Sequence, residues 1–312
     1  YINQVKKILF IILFVLPNII FSQDIHFTQM FKNPLYLNPS MSGFFDGQYR
    51  INAQHRSQWS SVSIPFKSTS FSVDRQFNKI GIGVQLLLDE SGTSILRNNQ
   101  LNLLFSNKIQ KLRLGVQLGV VQRSINYSNL NFSDTESFVG DEKIYFDFGF
   151  GVYRKILINK KNIEIGFSSF HLNKPDQSFS ENKDQLNIRS NLHSKVEFNL
   201  SEYWDITPTI VLQKQNAYQQ ILFGSFADFD ISNFYSKNIE LELGLFHRWR
   251  DAISILMGAK FENTSVTLSY DWNISDLVPA SNGIGAWEIS FIHIINNIIS
   301  RPNSYKVCPI YL

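Results

Sequence analysis

Residues 239–249 read Ile-Glu-Leu-Glu-Leu-Gly-Leu-Phe-His-Arg-Trp. A large apolar residue occupies every second position from Ile239 to Leu245, and Glu240, Glu242 and Gly244 lie between them. Only a β-strand, in which successive side chains point to opposite faces, separates two such sets. A soluble sheet would show this alternation in a few strands, whereas here it recurs along nearly the whole chain.

The alternation predicts about fourteen strands, each of roughly ten residues, which is the length of a tilted strand that crosses a bilayer. The predicted strands are 48–58, 68–76, 79–88, 100–109, 111–122, 145–156, 162–171, 188–200, 203–214, 217–227, 238–249, 252–261, 265–273 and 285–295. No stretch after Gln23 shows a helical period.

The connections between these strands alternate in length. Some are tight, such as Ser201-Glu202, and others are long and polar, such as 126–142, 173–187 and 275–282. Short turns on one side and long loops on the other are typical of outer-membrane barrels. We therefore predict an all-β fold, a single transmembrane antiparallel β-barrel of about 14 strands, over residues 47–296. A pair of soluble β-sandwich domains would require a linker and a central break, and the sequence shows neither.

The composition narrows the class further. Of the 312 residues 44% are hydrophobic and 18% are charged, which is too apolar for disorder and too polar for a helical membrane protein. The net charge of +3 includes Lys6 and Lys7 of a predicted leader, so nucleic acid is not an expected partner. Tryptophans lie near the predicted strand ends, where an aromatic girdle would contact the membrane interface: Trp59, Trp204, Trp249, Trp272 and Trp287.

Residues 1–22 have the pattern of a secretory signal peptide, with Lys6 and Lys7 before an apolar core over 8–16. We expect cleavage between Ser22 and Gln23 and export to the outer membrane of a Gram-negative cell. The alternative, a transmembrane anchor, would need a longer apolar run than this one, which Pro17 ends.

The next segment, 23–46, is apolar but contains two Asn-Pro pairs, which favour turns over helix. An apolar segment before a barrel must be buried, so we predict that it plugs the lumen or caps its mouth. Residues 297–312 are expected to form a C-terminal tail. Glycines recur on the polar side of the strands, either to leave volume in the lumen or to ease strand bending.

No catalytic motif or nucleotide-binding loop is present, and the six histidines are scattered without metal-ligand spacing. We therefore expect no enzyme activity, no cofactor and no metal site.

Several stretches together resemble the PorP/SprF family of outer-membrane proteins from type IX secretion and gliding systems. They are Gln23-Asp24 through Gln29, the run Asn-Pro-Leu-Tyr-Leu-Asn-Pro over 33–39 with Gly43, Arg56-Ser-Gln-Trp59, Ile80-Gly-Ile-Gly83, Ser269-Tyr-Asp271, Ile284-Gly-Ala-Trp-Glu-Ile and Cys308-Pro309. The family usually has alanine where this chain has Ser40 and histidine where it has Trp287.

This resemblance implies a barrel that docks or anchors a secreted type IX cargo protein or adhesin at the cell surface. It also implies a periplasmic partner, either a lipoprotein or a peptidoglycan-binding component, besides outer-membrane lipid. It carries over no catalytic residue. An outer-membrane channel for small or hydrophobic solutes is the alternative, and a soluble adhesin of stacked sheets is a third.

The family motifs select six candidate structural residues: Asn38, Pro39, Gly43, Arg56, Trp59 and Glu288. Because the first and last strands of a barrel must be neighbours, Arg56 and Glu288 are expected to form a charge pair in the lumen. Reversing both charges is therefore expected to rescue the defect that either reversal causes alone.

Overall fold

The computed structural model describes residues 24–59, 65–92, 96–127, 140–159, 161–232, 238–276 and 278–296. The predicted signal peptide with its cleavage point and the predicted tail over 297–312 lie outside these residues. The strands are β1 Tyr49–Gln58, β2 Phe66–Phe77, β3 Ile80–Ser91, β4 Leu96–Ile109, β5 Leu112–Ile125, β6 Glu142–Ile158, β7 Lys161–Phe170, β8 Arg189–Asn199, β9 Trp204–Gln215, β10 Tyr218–Asp230, β11 Ile239–Arg248, β12 Ala252–Phe261, β13 Thr264–Asn273 and β14 Ile284–Ile295.

Each strand pairs antiparallel with its neighbours in sequence, and β1 pairs with β14 to close the barrel. The predicted fold is therefore confirmed, and each predicted strand overlaps an observed one. On β11 the alternating residues lie on opposite faces of the wall as predicted: Leu243 is 52% exposed, whereas Glu242 is 3% exposed. Apolar side chains thus face outward, which suits a wall in contact with lipid and excludes stacked soluble sheets.

The two rims of the barrel differ in their connections. Residues 78–79, 110–111 and 262–263 turn at one rim, here called the short-turn rim. The strand ends joined by the three longest connections, 126–141, 171–188 and 274–283, all lie at the opposite rim, here called the long-loop rim. In outer-membrane barrels short turns face the periplasm and long loops face the outside, which orients this chain.

The tryptophans follow the expected girdle. Trp249, Trp272 and Trp287 lie near the long-loop rim, Trp204 lies at the short-turn rim, and all four are at least 41% exposed on the outside. Trp59 also lies at the long-loop rim but is half-buried.

The two Asn-Pro pairs behave differently from expectation, because each begins a helical turn. Pro34–Leu37 is a one-turn α-helix and Pro39–Met41 is a 3-10 turn. The side chain of Asn33 accepts from the Tyr36 backbone N–H, and that of Asn38 accepts from the Ser40 N–H. Asparagine is a favoured N-cap and proline fits the first helical position, so the pair starts a helix that it could not continue. Among the described residues, no helix is long and apolar enough to cross a membrane.

Residues 24–47 run from one rim to the other. Asp24 contacts His171 and Gln215, which follow or end strands at the long-loop rim. Gly47, in contrast, lies against Ile294 near the short-turn end of β14. Buried apolar residues of this segment form a cluster with inward residues of the strands: Phe27, Met30, Tyr36 and Leu37 with Leu87, Val211, Leu222, Phe226, Phe246 and Leu256. The hydrophobic core therefore lies within the barrel and is built around this segment.

Candidate functional site in the barrel lumen

A cluster of four buried charges lies where the barrel closes. Nη1 of Arg56 on β1 is 3.1 Å from Oε2 of Glu288 on β14, so the expected ion pair is present. Nη2 of Arg56 is 2.8 Å from Oδ2 of Asp271 on β13, and Nη2 of Arg248 on β11 is 2.7 Å from the same oxygen. Two guanidinium groups thus balance two carboxylates, as buried charges require.

The same carboxylates bind residues 24–47, here called the lumen segment. The backbone N–H groups of Thr28 and Gln29 donate to the two carboxylate oxygens of Glu288, each at 2.8 Å. The amide of Gln54 donates to Glu288 Oε1, and the Thr28 hydroxyl donates to Asp271 Oδ2 at 2.7 Å. Charge-assisted hydrogen bonds of this kind are among the strongest in proteins. Glu288 therefore joins the two ends of the sheet and fastens the segment to the wall.

A second attachment surrounds Asn38. Its Nδ2 donates to the carbonyl oxygens of Val152 on β6 and Phe167 on β7, at 3.0 and 3.2 Å. Its Oδ1 accepts from the backbone N–H of Ser40 at 3.0 Å. A Cβ on Gly151 would overlap this Oδ1, so the segment reaches the β6 backbone only because that position is glycine.

Further glycines make room for the turn that follows. A Cβ on Gly115 would overlap the Ser40 backbone and lie 2.5 Å from the carbonyl carbon of Pro39. A Cβ on Gly81 would overlap the carbonyl of Ser42. These positions favour the first interpretation of the inward glycines, that they leave volume for the segment.

Gly43 ends this turn in the left-handed region, with φ of 64°. A Cβ there would be 2.6 Å from the Gly81 Cα, so both conformation and space require glycine. Its N–H donates to Oδ2 of Asp74 at 2.7 Å, and Asp74 pairs with Nη2 of Arg50 at 2.7 Å.

The first described residue, Asp24, is held at the long-loop rim. Its Oδ2 is 2.6 Å from Nε2 of His171 and 3.1 Å from Nη1 of Arg189. The other ring nitrogen of His171 is 2.8 Å from Oδ1 of Asp147. We refer to Asp24, His171, Asp147 and Arg189 as the long-loop latch.

Electrostatics keep this latch charged. Burial opposes protonation of His171, but the Asp24 and Asp147 carboxylates outweigh it and raise the pKa of His171 to about 9. Burial also opposes ionisation of Asp24, yet His171 and Arg189 hold the pKa of that carboxyl well below its usual range. The histidine is therefore a cation near neutral pH and bridges two carboxylates.

The segment lies between two cavities. A cavity of about 700 Å³ opens at the long-loop rim, and Ile25 and His26 belong to its lining. Three aromatic residues belong to its walls: Trp59, Phe66 and Tyr218. Trp59 has φ of 60°, and its backbone N–H donates to the Gly285 carbonyl. Its ring packs edge-on against Phe66, with ring centroids 5.2 Å apart. We call this cavity the outer vestibule.

A second cavity of about 700 Å³ opens at the short-turn rim. Apolar residues of the segment line its inner end: Phe31, Pro34, Met41 and Phe44. Cations line the wall formed by β4, β5 and β6: Lys108, Lys111, Arg113 and Lys155. We call this cavity the inner vestibule.

A sequence model of the family described as type IX secretion system membrane protein PorP/SprF matches residues 19–292. The match covers most of the chain. The protein belongs to the PorP/SprF family. Family membership and the closed barrel together establish an outer-membrane protein of type IX secretion.

Solved structures of other barrels are similar to this PorP/SprF chain in fold. The CymD monoaromatic hydrocarbon channel has 11% identity and a TM-score of 0.49, with 85% of this chain and 93% of that chain covered. The toluene transporter TodX of P. putida has 10% identity and a TM-score of 0.49, with 83% and 93% covered. The toluene transporter TbuX of Ralstonia pickettii has 9% identity and a TM-score of 0.48, with 85% and 94% covered. No curated protein matches the sequence.

Five of the six residues selected from the PorP/SprF motifs contact the lumen segment or belong to it. They are Asn38, Pro39, Gly43, Arg56 and Glu288, whereas Trp59 lines the outer vestibule. Of the two departures from the family, Ser40 is buried in the turn and Trp287 faces outward, where its ring packs near His55.

Sequence reasoning missed the partners of these residues. Asp271, Arg248 and Thr28 complete the charge cluster, and Asp24 with His171 forms the latch. A signal existed for Asp271, since it is a charged residue on the inward parity of a transmembrane strand. No comparable signal identified His171, which follows β7 and contacts the site only because the lumen segment brings Asp24 next to it.

Proposed function

We propose that this barrel docks secreted cargo at its long-loop rim and contacts periplasmic machinery at its short-turn rim, with residues 23–46 as a plug. Membership of a type IX secretion family implies contact with secretion components and their cargo in general. The observation that carries the proposal is the lumen segment, which crosses from rim to rim and is held by buried charges.

A lumen occupied in this way suits binding better than solute passage. The segment interacts with Glu288 near the closing strands, with the glycines of β5 and β6, and with His171 at the rim. A channel for small or hydrophobic solutes, the second candidate, would require these attachments to break in each transport cycle. Conductance or solute uptake by the intact protein in liposomes would favour that candidate.

The outer vestibule is the expected cargo site. Aromatic rings dominate the energetics of protein interfaces, and Trp59, Phe66 and Tyr218 present them around one cavity that faces the outside of the cell. Binding there needs shape and hydrogen bonds but no catalytic group, so we propose docking without processing. The cargo class is a secreted protein with a type IX C-terminal signal domain, for example an adhesin. The periplasmic partner class is a lipoprotein or peptidoglycan-binding component.

The test is site-specific photo-crosslinking in intact cells. A photoreactive amino acid replaces Tyr218 in the outer vestibule, and a matched control replaces Leu243 on the lipid-facing wall. We expect the Tyr218 position alone to cross-link to a secreted protein that carries the C-terminal signal domain. Cross-links to such a protein from neither position, or equally from both, would contradict docking in the vestibule.

A further inference from the structure

The inner vestibule carries an uncompensated positive wall. Nζ of Lys155 is 3.8 Å from Oε1 of Glu164, but the same oxygen is 3.4 Å from Lys195. No described carboxylate lies within ion-pair distance of Lys108 or Lys111, and both side chains are exposed. Three lysines on adjacent strands and their turn therefore present charge to the space at the short-turn rim.

The lysines that line a neighbouring cavity, Lys32 and Lys260, are different, because each is already paired with a carboxylate. Lys260 on β12 is 3.1 Å from Asp228 and 2.9 Å from Glu240. Lys32 of the lumen segment is 2.5 Å from Glu242. The lysines without an ion-pair partner among the described residues of the vestibule are thus concentrated on the wall over β4, β5 and β6.

An apolar surface lines the same cavity as these lysines. Phe31, Met41 and Phe44 of the lumen segment are only partly buried, and they line the inner end of the cavity. A volume of about 700 Å³ is in the range of ligand pockets, so it accommodates a short extended segment but not a folded domain. An occupant that matches both features has apolar side chains at its tip and carboxylates behind them.

We propose that the inner vestibule binds an acidic polypeptide segment with an apolar tip, supplied by a water-soluble region of a periplasmic partner. This inference deepens the proposed function and rests on it, because it specifies the chemistry of the periplasmic contact. The position of these lysines on the lumen side of the wall favours a polypeptide over a lipid as the ligand. Lys108, Lys111 and Lys155 line the lumen, whereas phospholipid headgroups surround the outside of the wall.

Outward cations at the same rim provide a matched control. Arg75 lies over the rings of Tyr49 and Phe77, and Lys161 lies over the ring of Phe198. Arg154 is on the outward parity of β6, next to Lys155 in sequence. These three cations face the headgroup region and leave the vestibule unchanged when they are replaced.

The experiment uses the full chain in nanodiscs of zwitterionic lipid and a fluorescent synthetic peptide, in which a short apolar stretch precedes a run of glutamates. The inner triple variant is Lys108→Gln, Lys111→Gln and Lys155→Gln, and the outer triple variant is Arg75→Gln, Arg154→Gln and Lys161→Gln. We expect the inner variant to weaken peptide binding about tenfold and the outer variant to leave it unchanged. Binding should also fall as salt rises, and a peptide with lysines in place of glutamates should not bind.

Equal binding by the inner variant and the unaltered chain would overturn the proposal. A second result would also overturn it. If the inner variant bound phosphatidylglycerol vesicles more weakly than the unaltered chain but bound the peptide equally well, lipid would be the ligand. The outcome is separate from cargo docking, because photo-crosslinking from Tyr218 reports the outer vestibule. Retained cargo cross-links with no peptide binding would reject this inference alone.

Discussion

Arg56 and Glu288 are register partners on the first and last strands, and their ion pair closes the barrel at 3.1 Å. Glu288 also accepts the backbone N–H groups of Thr28 and Gln29. One carboxylate therefore links closure of the sheet to placement of the segment inside it. A chain that closes without the segment leaves this buried carboxylate with fewer donors, which favours closure around the segment.

We predict that Glu288→Gln destabilises the folded barrel by about 3 kcal/mol, because it leaves part of a buried charge network unpaired. Urea unfolding in detergent micelles, followed by tryptophan fluorescence, measures the change. Glu240→Gln is the matched control, since Glu240 is 43% exposed and pairs with Lys260. The control should change stability by less than about 1 kcal/mol. Similar losses in both variants would contradict the role of Glu288.

Reversing both charges, Arg56→Glu with Glu288→Arg, should not restore stability. The sequence alone predicts rescue, but an arginine at 288 would meet two backbone N–H donors and a glutamate at 56 would lie beside Asp271. The same unfolding experiment decides the point. Recovery of the double variant to near the unaltered stability would show that the pair acts independently of the segment.

Gly115→Ala should displace the turn at Pro39 and Ser40 and lower stability by about 1–3 kcal/mol through overpacking. Gly119→Ala on the same strand is the control, because the nearest neighbours of its Cβ would be side-chain atoms of the strands and none of the lumen segment. Hydrogen exchange at residues 38–42 should accelerate in the first variant only. Equal exchange in both would mean that the glycine does not position the turn.

The long-loop latch should loosen at alkaline pH. The pKa of His171 is raised to about 9 from an ordinary value of 6.5, so its stabilisation is complete below 6.5 and is lost as pH rises through 9. A spin label at Ile25→Cys, in a chain with Cys308→Ser, should become more mobile with a midpoint near pH 9.

His171→Asn is the control for this titration, because asparagine accepts the positive φ of 58° and does not titrate. The label should be mobile in that variant across the whole range. A transition near pH 9 that persists after the substitution would assign it to another group.

Deletion of residues 24–43 should open the lumen to ions. In planar bilayers we expect little conductance from the full chain and a large conductance from the shortened one. Heat-modifiable migration in SDS gels must show that the shortened barrel still folds. Equal conductance of both folded forms would reject the plug and favour the solute channel.

The strand alternation determined the barrel, as β11 illustrates: Leu241, Leu243 and Leu245 face lipid and Glu242 faces the lumen. This inference succeeds because lipid favours an apolar side chain at each outward position. Since successive side chains of a strand point to opposite faces, that preference appears in the sequence as a two-residue period. The same reasoning located Arg56 beside Glu288, since closure makes the first and last strands neighbours.

Only the tertiary structure decided what fills the barrel and how it is held. Asn33 and Asn38 cap helical turns instead of ending an extended segment, and Gly115 leaves room for one turn of that segment. His171 meets Asp24 across a large separation in sequence. Such contacts join distant residues inside the lumen, where packing and charge pairing depend on the whole closed sheet, and no local period records them.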